Sequence, residues 1–353
     1  MPSGFFKLKV DKITRETTEA VSIRLLIPPP LKAMFQYKAG QYLTLHAMLN
    51  GEDVRRSYSV CSSPFLDEMP TVAVKQVSNG KMSTFLNKDL KEGDLIDAMP
   101  PMGKFSVEPN ENAQKLYMLY GGGSGVTPVK SIALTVLNKE PKSRVVLVYA
   151  NKNEDSIIFK NEFDQLETEF LGRLKIIHSL DNPPANWSGL SGMLNAEKII
   201  DIVNKNAVQS VVTEHFICGP TGMMKMIEDT LKQMNVKAEH IHLEYFTAIV
   251  KEKPESETVE FTGESKVKIS VFGQEKTVSV KPNQTILEAA QDAGLDPPYS
   301  CTVGVCTTCR AKVYKGEVKM DEREGLSDAE IDEGFVLTCQ SHPVSPEVEL
   351  KYE

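Results

Sequence analysis

Positive charge is in short supply in this chain. Lys and Arg number 40 against 48 Asp and Glu, a formal net charge of −8, which argues against nucleic acid as a partner. No apolar run approaches the length of a membrane span, so no membrane-spanning segment is expected. The opening Met1-Pro2-Ser3-Gly4-Phe5 lacks both the basic flank and the apolar core of a signal peptide. Cysteine is sparse, six in 353 residues, and four of the six fall in one ligand pattern, so a disulfide framework is not expected. Together these shortages point to a reducing compartment, the cytoplasm. The six histidines are scattered; His240 and His242 share a strand face but have no third ligand, so they are not read as a metal site. No Ser/His/Asp set and no paired carboxylates call for hydrolytic chemistry. Repeats and low-complexity tracts are also missing, and the single tryptophan, Trp187, sits before a Ser188-Gly189-Leu190-Ser191-Gly192 loop with no evident chemical role.

The densest chemistry lies near the end of the chain. Cys301, Cys306 and Cys309 follow C-x4-C-x2-C, and Cys339 follows after 29 intervening residues. That spacing is the plant-type ligand pattern for a [2Fe–2S] cluster, in which one tight loop wraps a small inorganic core and a distant thiolate closes the cage. Gly304 and the small residues Ser300, Thr302, Thr307 and Thr308 let the backbone approach the sulfurs. Structural zinc is the alternative, although only one C-x2-C pair is present. After the loop, 321–333 carries seven carboxylates against Arg323 alone. This is either a solvated helix face or a docking surface for a basic partner.

At 353 residues two or three domains are expected. Short branched and aromatic runs at 7–10, 21–27, 41–47, 57–59, 72–77 and 95–98 predict strands, separated by turns at Pro28-Pro29-Pro30, Asn50-Gly51-Glu52-Asp53, Asn79-Gly80 and Glu92-Gly93-Asp94. Six such strands predict a small β-barrel over 1–110. Within it Arg56 and Tyr58, two apart on a strand, share a face and can offer a phosphate contact and a stacking ring; an exposed Arg beside a half-buried Tyr is the plain alternative. Ser83 or Thr84 is expected to cap a short helix whose free amides suit a pyrophosphate.

From Lys115 the pattern alternates between strand and helix, with strands near 115–120, 144–149, 173–178 and 215–218 and helices near 129–137, 161–169 and 196–204. A doubly wound parallel sheet is expected over 111–247. Its first strand runs into Gly121-Gly122-Gly123-Ser124-Gly125-Val126-Thr127-Pro128, with Thr127 as expected N-cap and Pro128 as first helical residue. Strand, glycine-rich turn and helix start is the arrangement that receives a dinucleotide, though Val126 replaces the third glycine of the generic fingerprint. Cys218-Gly219-Pro220-Thr221-Gly222-Met223-Met224 ends a later strand and opens a helix; by itself the Cys reads as packing. Asn151-Lys152-Asn153-Glu154-Asp155 carries both signs where the ribose would be read, with Lys152 leaning the choice between NADH and NADPH toward NADPH. A charged, Pro-containing linker is expected over 248–265, extended and mobile through 251–257. Strands at 267–272, 277–280, 310–314 and 348–351, with a helix at 286–293 stopped by Gly294, are consistent with an α+β, β-grasp domain over 266–353, which resembles a ferredoxin over its whole length.

Arg56-x-Tyr58-Ser59, Gly80-x-x-Ser83 and Pro101-x-Gly103-x-Phe105 together resemble the flavin half of the ferredoxin–NADP reductase superfamily. The glycine-rich turn ending in Thr127-Pro128 resembles that superfamily's own. The resemblance implies FAD held by Arg56, Ser57, Tyr58 and Ser59, with Gly80, Met82, Ser83 and Thr84 on its pyrophosphate. It implies a nicotinamide nucleotide on Gly122, Gly123, Thr127, Pro128, Gly219, Pro220 and Met223. Tyr58, Ser59, Cys218, Glu244 and Phe246 are then the catalytic candidates around the flavin ring, and Cys301, Cys306, Cys309 and Cys339 the metal ligands. Thr302 departs from the charged residue usual after the first cysteine. The domain order, flavin, nucleotide, ferredoxin, resembles reductase components of bacterial oxygenases. Nicotinamides give two electrons together and a [2Fe–2S] cluster takes one at a time, so a flavin must stand between them. The expected partner is an oxygenase component or another one-electron acceptor protein. A reductase for a steroid or alkane hydroxylase, a stand-alone NAD(P)H diaphorase and a zinc-binding interaction module are the alternatives.

Overall fold

The computed structural model describes residues 3–66, 69–246 and 263–352. Two compact units emerge, one of Lys7–Val54 with Tyr58–Phe246 and one built on the C-terminal residues. Most of the expected linker, including 251–257, lies outside the described residues, and Ser265 already begins a strand.

The first unit opens with strands β1 (Phe6–Thr17), β2 (Ala20–Leu26), β3 (Tyr42–Leu49), β4 (Glu52–Ser59), β5 (Thr71–Lys75) and β6 (Leu95–Ala98). They pair in the order β4-β3-β6-β1-β2-β5, and an antiparallel bridge between Val60 and Val72 joins the two ends into a barrel. Leu8 and Val10, Ile23 and Leu25, Leu43 and Leu45, and Val72 and Val74 recur at period two and fill the interior. The β3–β4 hairpin turns on Asn50 and Gly51, both at positive φ, as a tight two-residue turn requires. The turn is therefore shorter than expected, and Glu52 and Asp53 belong to β4.

The expected caps are corrected. Helix α1 (Lys81–Lys88) starts after Gly80, so Ser83 and Thr84 lie inside it. The Ser83 hydroxyl folds back to donate to the Gly80 carbonyl and accept from the Val77 amide, and a side chain at position 80 would collide with it. Helix α2 (Val126–Lys139) likewise begins earlier than expected, capped by Gly125 at the end of a short 3-10 turn, Gly123–Gly125. Thr127 is its second residue and uses its hydroxyl to brace the Ser124 carbonyl 3.0 Å away.

Continuing the unit, β7 (Lys115–Gly122), β8 (Arg144–Asn151), β9 (Leu174–Leu180), β10 (Leu190–Ser191), β11 (Val212–Cys218) and β12 (Ile241–Glu244) form a sheet ordered β10-β9-β8-β7-β11-β12, every pair parallel. Alternation along β7 sends Tyr117 and Leu119 to the layer of α2 and α3 (Lys160–Glu169), and Leu116, Met118 and Tyr120 to that of α4 (Ala196–Asn206) and α5 (Thr221–Gln233). The short β10 holds the loop after Trp187, whose indole donates to the Leu190 carbonyl, an ordinary packing role. Strand order reverses between β7 and β11, the place where such sheets bind ligands.

In the second unit β13 (Ser265–Val271), β14 (Gln274–Val280), β15 (Arg310–Lys315), β17 (Phe335–Leu337) and β19 (Glu347–Tyr352) form a sheet ordered β14-β13-β19-β15-β17. A two-stranded ribbon of β16 (Val318–Met320) and β18 (Ser341–Pro343) stands beside it. The first and last strands pair in parallel at its centre, the β-grasp signature, and helix α6 (Ile286–Asp292) covers one face. Thr285 and Glu288 form a capping box at the start of α6, and Gly294 at φ +76° stops it. The acidic segment folds into helix α7 (Asp328–Asp332), and its charges are partly spent internally. Glu330 is buried and accepts from Arg310 at 2.9 Å, while Asp328 pairs with Arg323 and Asp321 with His342.

Candidate functional site

At the switch point the two predicted nucleotide turns meet. A Cβ at Gly122 would lie 2.5 Å from Pro220 Cδ and 2.9 Å from Met223 Cε, so only glycine lets the β7 turn settle against the Cys218-Gly219-Pro220 turn. At Gly125 a side chain would run into the Cys218 carbonyl. Gly123, at φ +53°, has open space where a Cβ would stand. Thr127 and Pro128 are buried, so they shape the turn from beneath. Met224 belongs to the core and Met223 is only partly buried at its edge.

β4 carries Arg56 exposed, Ser57 and Tyr58 half-buried and Ser59 buried. The first turn of α1 has backbone amides without a side-chain cap, whereas the Met82 and Ser83 side chains are buried. Any contact these two make with a bound phosphate is therefore through the backbone.

The barrel and the sheet come together at Ser59, whose hydroxyl donates to Glu244 Oε2 at 3.0 Å. Glu244 is a half-buried residue with a desolvated carboxyl, and this burial pushes it up to about 8, with the Ser59 bond opposing the rise. Cys218 pairs with Glu244 across β11 and β12 and is fully buried. Burial, and then the nearby Glu244 charge, raise its thiol well above the usual range, so it stays protonated. Phe246 follows β12 and is 40% exposed. The predicted catalytic residues of barrel and sheet thus include one directly bonded pair, Ser59 with Glu244, flanked by Cys218.

Within the C-terminal unit the four predicted cysteines gather. Cys306 Sγ lies 3.2 Å from Cys301 Sγ, and the Cys339 thiol bonds to both Cys301 and Cys309. Bonds from Cys306 and Cys339 pull the Cys301 thiol down; giving those bonds pushes Cys306 and Cys339 up. The loop bends through Thr302 at φ +57° and Gly304 at φ +79°, where a side chain would press on Glu322 and Gln340. Thr338 donates from its amide and hydroxyl to the Cys309 carbonyl, and the Tyr352 hydroxyl donates to Thr338, tying the distant ligand segment to the loop. No cysteine is in a disulfide. Four converging soft donors, three from a loop and one from afar, fit a [2Fe–2S] cluster.

Sequence reading missed Glu214 and Phe216. The fold places Glu214 Oε2 3.2 Å from both His240 Nδ1 and His242 Nε2, with Lys115 Nζ 2.9 Å from its other oxygen. His240 itself lies in a 3-10 turn before β12. The third group for this histidine pair thus exists, but a lysine already neutralises it, and the cluster is an ion-pair network. A cleft of about 830 Å³ lined by Glu16, Ser22, Ser62, Lys130, Phe159 and Glu162 holds none of the predicted site residues. Lys130 there is paired with Glu162 at 2.8 Å.

Comparison with known proteins agrees with this layout. The model of the oxidoreductase FAD-binding domain matches residues 7–107, that of the oxidoreductase NAD-binding domain 119–229, and that of the 2Fe-2S iron-sulfur cluster binding domain 269–344. The zinc alternative is thereby set aside. The chain is 33% identical to a component of the 1,2-phenylacetyl-CoA epoxidase of Escherichia coli (strain K12), covering 99% of this chain and 98% of that protein. It is 31% identical to the 3-ketosteroid-9-alpha-monooxygenase ferredoxin reductase component of Rhodococcus rhodochrous, covering 98% and 96%. Among solved structures, phthalate dioxygenase reductase, a modular structure for electron transfer from pyridine nucleotides to [2Fe-2S], aligns with TM-score 0.60 and 25% identity over 99% of this chain and 98% of that one. Among the described residues no helix is long and apolar enough to cross a membrane.

Proposed function

We propose that this chain, which belongs to the family of FAD- and [2Fe–2S]-containing reductase components of oxygenases, serves an oxygenase component of phenylacetyl-CoA epoxidase type, in phenylacetate catabolism in the cytoplasm. Transfer of electrons from NAD(P)H through FAD and the iron–sulfur cluster is the property of the family. The acceptor is the proposal, and the full-length identity to the Escherichia coli epoxidase component carries it. Bound together, FAD and the cluster supply the exchange between the two-electron chemistry of a nicotinamide and the one-electron chemistry of an acceptor protein.

The residue roles are part of the same reading. Arg56 and the first-turn amides of α1 hold the flavin pyrophosphate, Tyr58 stacks on its ring, and Ser57 lines the seat. Gly122, Gly123, Gly219 and Pro220 seat the nicotinamide nucleotide, with Met223 at the edge and Lys152 favouring NADPH. Ser59 orients the neutral Glu244 carboxyl, Cys218 keeps its proton beside them, and the Phe246 ring covers the site. Cys301, Cys306, Cys309 and Cys339 hold the cluster. The domain divisions that follow are 1–110, 111–247 and 266–353, joined by 248–265. The acidic segment is a surface for a basic partner.

The test is reconstitution with purified oxygenase components. The epoxidase component should give phenylacetyl-CoA-dependent NADPH oxidation with product formed in step. Equal or better coupling to a steroid monooxygenase component, or nicotinamide oxidation coupled to neither, would assign the chain to another oxygenase or to a stand-alone diaphorase. Running NADH in parallel decides the nucleotide.

A further inference from the structure

One face of the parallel sheet carries a column of which these roles use only the end, Cys218 and Glu244. Along β11, Glu214, Phe216 and Cys218 share a face, and β12 presents His242 and Glu244 beside them, Phe216 in register with His242 and Cys218 with Glu244. The His242 ring lies flat on Phe216, centroids 4.2 Å apart and planes 21° from parallel. Its Nε2 is 3.2 Å from Glu214 Oε2. From the barrel, Phe105 sets its edge against the same Phe216 ring at 5.3 Å. Phe105, Phe216 and His242 thus form a continuous aromatic path from the barrel to the last strand of the sheet.

β12 depends on such an anchor. It is four residues long, stands at the edge and pairs with β11 alone. Ile241, Leu243 and Tyr245 pack on the opposite face into the α4–α5 core. On the Glu244 side, His242 supplies the grip. The acceptor it grips is a firm one: Glu214 is held down to about 2, mainly by the His242 bond, with Lys115 and His240 adding to it. The charged and titratable groups around the column are Glu214, Lys115 and His240, with Glu239 3.6 Å beyond His240, Tyr117 stacked on Phe216 from β7 at 6.4 Å, and at its far end Cys218 and Glu244.

We infer that His242 is a positioning residue, clamped between the Phe216 ring and the Glu214 carboxylate so that β12 sits against the barrel and Glu244 meets Ser59. The inference rests on the assignment of Ser59 and Glu244 to the nicotinamide-to-flavin step. Its consequence is specific. Burial raises Glu244 more than the Ser59 bond lowers it, so loosening β12, which admits water and breaks that bond together, lets the carboxyl ionise at lower pH on balance.

In the flavin-loaded protein, His242→Ala is expected to lower the pH at which Glu244 ionises by about one unit or more. The readout is an infrared titration of the carboxyl band, assigned by its loss in Glu244→Gln. The inflection in the pH profile of nicotinamide-driven flavin reduction should move down with it. His242→Gln, which keeps a donor toward Glu214, should recover at least half of the shift. Glu214→Leu removes the acceptor from the other side and should shift the band in the same direction. An unmoved band in His242→Ala, or in Glu214→Leu where the former does not fold, overturns the inference. Infrared titration needs no turnover. A protein that binds flavin yet is never reduced by either nicotinamide defeats the functional assignment, while the band still decides the role of His242.

Discussion

The hydrogen bond between Ser59 and Glu244 makes the sharpest claim about rate. Glu244 is neutral below about 8 and ionised above it, because its carboxyl is desolvated. With Glu244 beside the flavin ring, as proposed, a fixed negative charge there opposes delivery of a hydride, so nicotinamide-driven flavin reduction should fall as pH rises through that value, about tenfold per unit in the limit of one essential acid. Ser59 is the group that opposes the upward shift, donating at 3.0 Å. A hydrogen bond to a charged group contributes about 1.5–3 kcal/mol, and one pKa unit corresponds to about 1.4 kcal/mol. Ser59→Ala should therefore move the inflection upward by about one to two units. Glu244→Gln, which keeps an oxygen to accept from Ser59, should abolish the inflection and leave a flat profile. The assay is stopped-flow bleaching of the flavin at saturating nicotinamide across the pH range, with flavin content measured for each variant. A Ser59→Ala profile that stays in place or moves down would refute the reasoning, as would an inflection that survives in Glu244→Gln.

Three further outcomes are expected. Cys339→Ser should strip the iron and its visible absorbance while leaving flavin reduction by nicotinamide intact; iron analysis beside the flavin assay checks it, and loss of both signals together would contradict the separation of the sites. Gly122→Ala places a methyl 2.5 Å from Pro220 and should cost about 1–3 kcal/mol of nucleotide binding, a KM rise of about five- to hundredfold without loss of flavin; an unchanged KM would show the turn to be slack. Shortening 251–257, whose charged and Pro-containing composition suits a tether, should slow cytochrome c reduction more than ferricyanide reduction taken directly from flavin. Equal slowing would exclude a tethered shuttle.

The parts of this molecule that could be read from sequence are those in which chemistry constrains neighbours along the chain. Cys301, Cys306 and Cys309 must share one loop to wrap a small core, so their spacing is itself the signal. The glycines at 122 and 125 are legible for a similar reason, because a tight turn leaves no room for a Cβ. Helix starts proved less legible. Thr127 and Ser83 are good caps by residue type, yet the glycines before them take the cap position and free their hydroxyls to brace the preceding turn. The charge count in the acidic segment could not say which carboxylates face solvent; Glu330 does not, being buried on Arg310 and completing a capping box. The least legible feature was the link from Glu214 to His242. Nothing local announces it, since the two meet only through the register of parallel strands whose connection contains all of α5. The register that brings Phe216 beside His242 also brings Cys218 beside Glu244. A one-residue slip would turn His242 and Glu244 to the opposite face and break both contacts, so the chemistry proposed at the strand ends and the clamp inferred halfway along them stand or fall on a single pairing.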